Sequence, residues 1–354
     1  MTLRLRAQLA ARGLDLDLTL GAGERLAILG PNGAGKSSAL AIVAGLLRPD
    51  NGRAELDGRV LFDLTAGGGR WPAPHTRGVA LLAQDPLLFP HLTVLDNVAF
   101  GPRAAGQSRR SARSRARSWL AQVGADDLAD RRPFQLSGGQ AQRVAIARAL
   151  ATEPGRLLLD EPLAALDVEA APELRQVLRR VLADRAAIIV THDLLDALVL
   201  AGRVAVVEQG RVVESGPTAA VLRHPKTSFA ARIAGLNLVT GTAVALGVAQ
   251  PDGTVVEGVA RTPIVPGQPA VAVFAPSAVA VFPESHPGSP RNTFPVTITG
   301  LEPHADLVRV RAETAGGLAL SADVTPAAVA ELELYPGSAV CFSLKASSVS
   351  LHPG

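Results

Sequence analysis

The chain has 354 residues, 47% hydrophobic and 19% charged, with a net charge of +3 and a pI near 9.6. That length suits two or three domains with sizeable cores and excludes a largely disordered chain. No apolar run is long enough for a transmembrane helix, the N-terminus MTLRLRAQLAARG lacks an apolar h-region and cleavage site, and the single Cys341 excludes an internal disulfide and fits a cytoplasmic protein.

In chain order, residues 1–235 read as alternating strands and helices. ERLAILG (24–30) is a short apolar strand running into a glycine loop, and KSSALAIVAGLL (36–47) has helical spacing and stops at the turn cluster RPDNG. VALLAQ (79–84), RLLLDEP (156–162), AAIIVTHD (186–193) and RVAVVEQG (203–210) are further apolar runs, of the kind that suits a parallel sheet buried on both faces. The stretch from about 102 to 135 reads as helical, polar and inserted. Its arginine run, RAAGQSRRSARSRARSW (103–119), has two readings: a nucleic-acid contact or a solvated helix surface. The second is preferred, because no aromatic interleaves with the arginines before Trp119. LSGGQAQRVAIARALATEPG (136–155) is a glycine turn opening a helix that ends at Pro154-Gly155. After HPKTSFAARIAGLN (224–237) the texture becomes short alternating strands with frequent Gly and Pro, the pattern of small β-barrels. PESHPGSPRN (283–292) divides this tail unequally.

Three motifs carry chemistry. Lysine occurs only at 36, 226 and 345, and Lys36 sits in GPNGAGKSS: Gly30, Pro31, Asn32, Gly33, Ala34, Gly35, Lys36, Ser37 and Ser38. The spacing G-x-x-x-x-G-K-S, between a strand and a helix, predicts a phosphate-binding loop. Its backbone N–H groups would converge on phosphate oxygens, Lys36 would reach the terminal phosphates and Ser37 would ligate Mg²⁺. LLLDEP ends a buried strand in Asp160, suited to positioning Mg²⁺, and Glu161, suited to polarising a water. LSGGQ places Ser137, Gly138, Gly139 and Gln140 at a second helix N-terminus able to take an anion. One nucleotide does not need two such cradles from one chain. Two chains packed head to tail could sandwich each nucleotide between one loop and the other chain's LSGGQ.

With these motifs in this order, residues 1–235 resemble the ATP-binding subunit of an ABC transporter. The resemblance implies an α/β P-loop ATPase domain of ABC type, with a helical subdomain at about 90–155, that binds ATP and Mg²⁺ and works as a homodimer. It implies that Gln84 is the Q-loop glutamine, also near the metal, and His192 in VTHD the switch histidine contacting the γ-phosphate. Ser137 and Gly139 would contact the partner chain's γ-phosphate, and Asp167 would couple the two sites. The family usually stacks adenine on an aromatic residue about twenty positions before the loop. Here ARGLDLDLTL offers Leu14, Leu16 and Leu18, so adenine is expected on aliphatic carbon. DPLLFPHLTVLDNVAFG, after Gln84, corresponds to the region that receives a short permease helix.

Residues 236–354 resemble the all-β, OB/Mop-like regulatory domain of bacterial type I importers, with a Mop/TOBE-like module at about 289–352. SPRN, SADVT and KASSV are the matching parts. They offer Ser289, Arg291, Asn292, Ser321, Lys345 and Ser347 as ligands for a molybdate or tungstate dianion. The resemblance implies an ATPase of a molybdate importer, peripheral on the cytoplasmic face of the membrane, with two transmembrane permease chains and indirectly a solute-binding protein as partners. Alternatives are an importer of sulfate, iron or a sugar, and, in another class, a soluble ABC ATPase acting on nucleic acid.

Overall fold

A computed structural model describes residues 2–65, 69–164, 166, 170–284 and 288–354. Contacts divide the chain into two compact units, 1–219 and 220–354. The division falls ahead of the change in sequence texture at 235, because the short helix Ser228–Ile233 packs against the first strand of the tail and groups with it.

The first unit has two sheets. β1 (Leu3–Leu9), β2 (Leu14–Leu20), β4 (Asn51–Leu56) and β5 (Arg59–Asp63) form an antiparallel sheet in the order β2-β1-β4-β5. LRLRAQL and LDLDLTL alternate strictly, so every leucine of β1 and β2 faces the core and every Arg, Asp and Gln faces out. The second sheet, in the order β10-β9-β3-β8-β7-β6, comprises β3 (Arg25–Leu29), β6 (Val79–Leu82), β7 (Arg156–Asp160), β8 (Ala187–Val190), β9 (Arg203–Glu208) and β10 (Arg211–Pro217). All its pairings are parallel except β9 with β10. β7 and β8 are almost wholly buried, as continuous apolar runs require. α1 (Lys36–Ala44) joins the core between the two sheets.

α2 (Val94–Ala104), α3 (Arg109–Gln122) and α4 (Gly138–Ala151) pack on one another around Val98, Ala112, Ala116, Leu120, Ala147 and Leu150. The arginine run is α3. It buries Ala112, Ala116, Trp119 and Leu120, while Arg113 pairs with Asp96 at 2.8 Å and Arg115 with Glu153 at 3.0 Å. Two of its cations are thus committed to carboxylates of the same unit. α5 (Ala170–Val181) and α6 (Leu194–Leu200) complete this unit's helices, and α7 (Thr218–Arg223) begins at its end.

The second unit is β-rich. It contains α8 (Ser228–Ile233), β11 (Asn237–Val244), β12 (Gly247–Ala249), β13 (Val255–Glu257), β14 (Val259–Ala260), β15 (Pro269–Phe274) and β16 (Ala280–Phe282). β17 (Asn292–His304), β18 (Leu307–Thr314), β19 (Ala319–Val324), α9 (Pro326–Glu331), β20 (Ala339–Leu344) and β21 (Ser350–Pro353) follow. They make a six-stranded sheet, β13-β12-β11-β15-β21-β14, and a five-stranded sheet, β16-β20-β17-β18-β19, over one core that includes Phe274, Phe294, Ile298 and Phe342. The last strand, β21, returns to pair with β15, so the tail does not fall into two separate barrels at 283–292.

Candidate phosphate-loop site

β3 delivers the chain into the glycine loop, and three glycines set its path. Gly30, Gly33 and Gly35 have φ of 153°, 81° and 99°. A Cβ on Gly30 would lie 2.1 Å from the Val207 carbonyl oxygen, and one on Gly35 would lie 2.4 Å from Leu14 Cδ1. Only glycine fits either place. α1 then starts at Lys36, with the loop at its N-terminus.

A cavity of about 580 Å³ opens at this point. Lys36, Ser37, Ser38, Asn32, Gln84 and Glu161 all line it. The loop and the glutamine after β6 therefore meet the end of β7 in one place. Lys36 is 6% exposed and donates from Nζ to the Gly30 and Pro31 carbonyls at 2.8 and 2.9 Å. Burial lowers its pKa, while the Glu161 and Asp160 carboxylates act the other way. Ser37 Oγ donates to Asp160 Oδ1 at 3.0 Å. Burial raises the Asp160 pKa, and the Ser37 bond and Lys36 oppose the rise. These hydroxyl and carboxylate oxygens, with the Gln84 amide on the same wall, are the hard donor set that Mg²⁺ takes.

Glu161 has φ +46°, a left-handed conformation costly for a residue with a side chain, and its N–H donates to Val190 O at 2.9 Å. β7 and β8 are in register at Asp160 and Val190, so residues just past both strand ends become neighbours. His192 Nδ1 lies 3.5 Å from Glu161 Oε2. Thus Lys36, Ser37, Gln84, Asp160, Glu161 and His192 are brought together from four separate stretches of chain.

LSGGQ is not part of this cavity. Ser137 caps α4, its Oγ accepting from Gln140 N at 3.3 Å while Gln140 Oε1 accepts from Ser137 N at 3.1 Å. None of residues 137–140 lines the cavity. Asp167 lies outside the described residues.

The adenine expectation needs correction. Leu14, Leu16 and Leu18 are 3%, 2% and 6% exposed and belong to the core of the antiparallel sheet, so they offer no surface to a base. The residue that does reach the cavity from this segment is Arg12, which sequence reasoning missed. A signal existed: the alternation of LDLDLTL assigns the leucines inward and leaves the preceding AARG as the turn.

The oxyanion candidates lie in several places on the tail. Asn292 pairs with Leu344 across β17 and β20, which puts Arg291 beside Lys345. Ser289, Arg291, Lys345 and Ser347 are exposed. Asn292 is 2% exposed and spends its amide on the backbone of Glu257, accepting from its N–H at 2.8 Å and donating to its carbonyl at 2.9 Å. It straps two sheets together and has little left for a ligand. Ser321 pairs with Arg311, which pairs with Gly300, roughly 25 Å along β17 from Asn292. Its backbone is held by the Asn237 amide at 2.7 and 2.9 Å. One chain does not gather the six residues into one site.

Comparison with known proteins agrees with this geometry. The ABC transporter family model matches residues 14–164 and the TOBE domain model residues 288–351. The chain is 51% identical, over 99% of its own length and 97% of the relative's, to the molybdenum import ATP-binding protein ModC of Mycobacterium tuberculosis H37Rv. The chain belongs to the ATP-binding proteins of ABC transporters. A second relative of the cassette is the molybdate/tungstate import ATP-binding protein WtpC of Pyrococcus horikoshii, 36% identical over 94% of this chain and 93% of the relative. Among solved structures, CbiO1 of Clostridium perfringens, part of the ABC transporter complex CbiONQ, superposes with a TM-score of 0.55 at 30% identity, covering 63% of this chain and 90% of that one. An ATP-binding cassette solved as a dimer in a post-hydrolysis state with ADP and Pi gives 0.53 at 29% identity, covering 62% of this chain and 99% of its own.

Proposed function

We propose that this chain hydrolyses ATP to drive the import of molybdate or tungstate through separate membrane subunits. The observation that supports the reading best is full-length similarity to ModC, joined to a cavity lined by Lys36, Ser37, Gln84 and Glu161, with Asp160 bonded to Ser37 and His192 3.5 Å from Glu161. The glycine-loop N–H groups and Lys36 bind the triphosphate. Ser37 and Asp160, with Gln84, are the residues that would hold Mg²⁺, which when bound neutralises phosphate charge. Glu161 accepts the proton of the attacking water, and His192 beside it orients that carboxylate and contacts the terminal phosphate. Desolvation makes Lys36 a stronger partner for a phosphate than it would be in water.

The active form is a homodimer in which Ser137, Gly138, Gly139 and Gln140 close over the partner's nucleotide and Asp167 couples the two sites. The exposure of Ser137 and Gly138, and the absence of residues 137–140 from the chain's own cavity, support this. Among the described residues no helix is long and apolar enough to cross a membrane. The pathway therefore belongs to two permease chains, and this subunit docks on their cytoplasmic face. Leu87 and Phe100, 68% and 48% exposed, suit that contact. The loop carrying Leu87 is held firmly: the Asn97 amide brackets Phe89, and Arg148 donates to the Pro86 and Leu87 carbonyls at 2.8 Å. A solute-binding protein delivers the oxyanion from the other side. The tail also binds molybdate or tungstate as a regulator, at a site shared between two tails, since one tail holds Arg291 and Lys345 far from Ser321.

Glu161→Gln tests the chemistry. General-base help is worth roughly 10²–10⁴-fold, so turnover should fall by about that factor while ATP still binds. A variant keeping half the wild-type rate sinks the assignment. Uptake of radioactive molybdate by cells lacking this chain, restored by wild type and not by Glu161→Gln, tests the substrate. Calorimetry of the full chain with tungstate, before and after Lys345→Ala, tests the regulatory site.

A further inference from the structure

We propose that Arg12 grips the nucleoside end of the bound nucleotide by laying its guanidinium plane on the base. This rests on the ATP-binding reading above and adds a residue that sets nucleotide affinity with little preference between purine bases.

Arg12 ends a single 3-10 turn, Ala10–Arg12, between β1 and β2, closed by Gly13 at φ +58° with its N–H donating to Ala10 O. Three contacts fix this turn. Ala10 N donates to Asp50 Oδ2 at 2.8 Å. Asp15 N donates to Gly210 O at 2.9 Å, and Gly210 N donates in turn to Ala34 O at 3.2 Å, inside the phosphate loop. Leu14 fills the space beside Gly35 that a Cβ would need. The turn is therefore tied to the loop through Gly210, although the two are far apart in sequence.

Ser37 and Ser38 are successive residues of the first turn of α1, about 100° apart around its axis. Ser37 Oγ bonds to Asp160, on the side that carries Glu161 and Gln84. Ser38 Oγ accepts from Arg12 Nη1 at 2.8 Å. A triphosphate lying across this helix start has its terminal phosphate at the Glu161 side. Its first phosphate, and the nucleoside beyond, point toward Arg12.

Chemistry then selects the contact. No aromatic residue lines the cavity among the described residues, and the leucines of β2 are buried. A purine leaving this cavity at its nucleoside end meets the flat Arg12 guanidinium. That group stacks on π faces and is weakly hydrated, so it covers a base more readily than an ammonium does. Stacking reads a face and not an edge, so it discriminates little between adenine and guanine.

The test is equilibrium binding of AMP-PNP, GMP-PNP and inorganic tripolyphosphate to the full chain and its Arg12→Ala, Arg12→Lys and Arg12→Trp variants. Arg12→Ala should weaken both nucleotides alike, by about 3- to 30-fold, and leave tripolyphosphate unchanged. Arg12→Trp should restore nucleotide binding, and Arg12→Lys should not. An equal loss for tripolyphosphate, or rescue by lysine and not tryptophan, overturns base stacking in favour of a phosphate contact. Unchanged nucleotide affinity in Arg12→Ala, with wild type binding normally, overturns the proposal alone. Failure of wild type to bind either nucleotide overturns the ATPase reading and this proposal with it.

Discussion

Arg77 is a guanidinium sealed inside the first unit, and removing it should expose how the phosphate-loop helix is anchored. The side chain is 1% exposed. Nη1 donates to the Ile42 and Val43 carbonyls at 2.8 and 3.1 Å, at the C-terminal end of α1, and Nε donates to Pro72 O at 3.1 Å. Its Cζ lies 4.1 Å from the centre of the Trp71 ring. Burial lowers the pKa to about 10, so the group stays charged at neutral pH. The shift from 12.5 corresponds to a penalty of about 3 kcal/mol on the buried cation. Hydrogen bonds to a charged group return roughly 1.5–3 kcal/mol each, so two good ones offset the penalty or exceed it modestly. Most of the side chain's net worth is then volume: truncation to alanine leaves a hole between α1 and Trp71, worth about 2–5 kcal/mol by analogy with large core residues. Arg77→Ala should therefore destabilise this unit by about 3–5 kcal/mol. Arg77→Met refills the space, sheds the desolvation penalty and should cost under about 2 kcal/mol. Both tryptophans, Trp71 and Trp119, lie in residues 1–219, so tryptophan fluorescence during urea unfolding reports this unit alone. An alanine variant within about 1 kcal/mol of wild type refutes the reasoning. A methionine variant as damaged as the alanine one shows that the polar bonds, not the volume, carry the effect.

Two further outcomes follow from local geometry. Gly210 has φ +78°, and a Cβ there would stand 2.1 Å from Gly13 O, so Gly210→Ala must push the β1–β2 turn off the phosphate loop. A loss of about 1–3 kcal/mol in the same fluorescence assay, with weaker AMP-PNP binding, is expected; normal affinity would show that the turn does not shape the site. In the second unit, His352 is 4% exposed, has its ring centre 4.2 Å from that of His224 at a tilt of 47°, and has its pKa lowered first by burial and then by His224, Arg261 and Lys226. The unfolded chain takes up the proton first, so stability is full above about pH 6.5 and is lost as pH falls toward the folded pKa, by at most about 1.4 kcal/mol per pH unit. Thermal melts followed by circular dichroism should show wild type losing more than His352→Gln between pH 7.5 and 5; equal losses would remove His352 from the account.

What the sequence made legible was what local order decides. The glycine loop, its lysine and the helix after it are contiguous, so spacing alone places them. Glu161 and His192 were also legible, because each follows an apolar run and adjacent parallel strands end at one level. The antiparallel sheet was passed over for a different reason. Its strands alternate, and a search for continuous apolar runs does not register LRLRAQL or LDLDLTL. That omission also misplaced Leu14, Leu16 and Leu18, because an alternating leucine is a core residue before it is a surface for a ligand. Alternation marks AARG as a turn, but that this turn meets the phosphate loop through Gly210 could not be read from local order. Asn292 shows the opposite limit: its neighbours in SPRN looked like ligands, and only the fold reveals that its amide is spent on Glu257.

The same distinction between what a residue is and what it has left to offer bears on LSGGQ. Ser137 and Gln140 complete each other's hydrogen bonds in a capping box, which satisfies the Gln140 and Ser137 backbone N–H groups. The first N–H groups of any helix have no partner within it, and here those belong to Gly138 and Gly139. Neither residue carries a side chain to cover them. An anion arriving at this end is thus met by backbone donors and the positive end of a 14-residue helix, with no carboxylate in its first turn. Those donors lie outside the cavity that holds Lys36 and Glu161 of the same chain. In the homodimer proposed above, a nucleotide seated on one chain's loop would use these donors from the second copy, and the capping box would keep each chain's helix start folded and open for it.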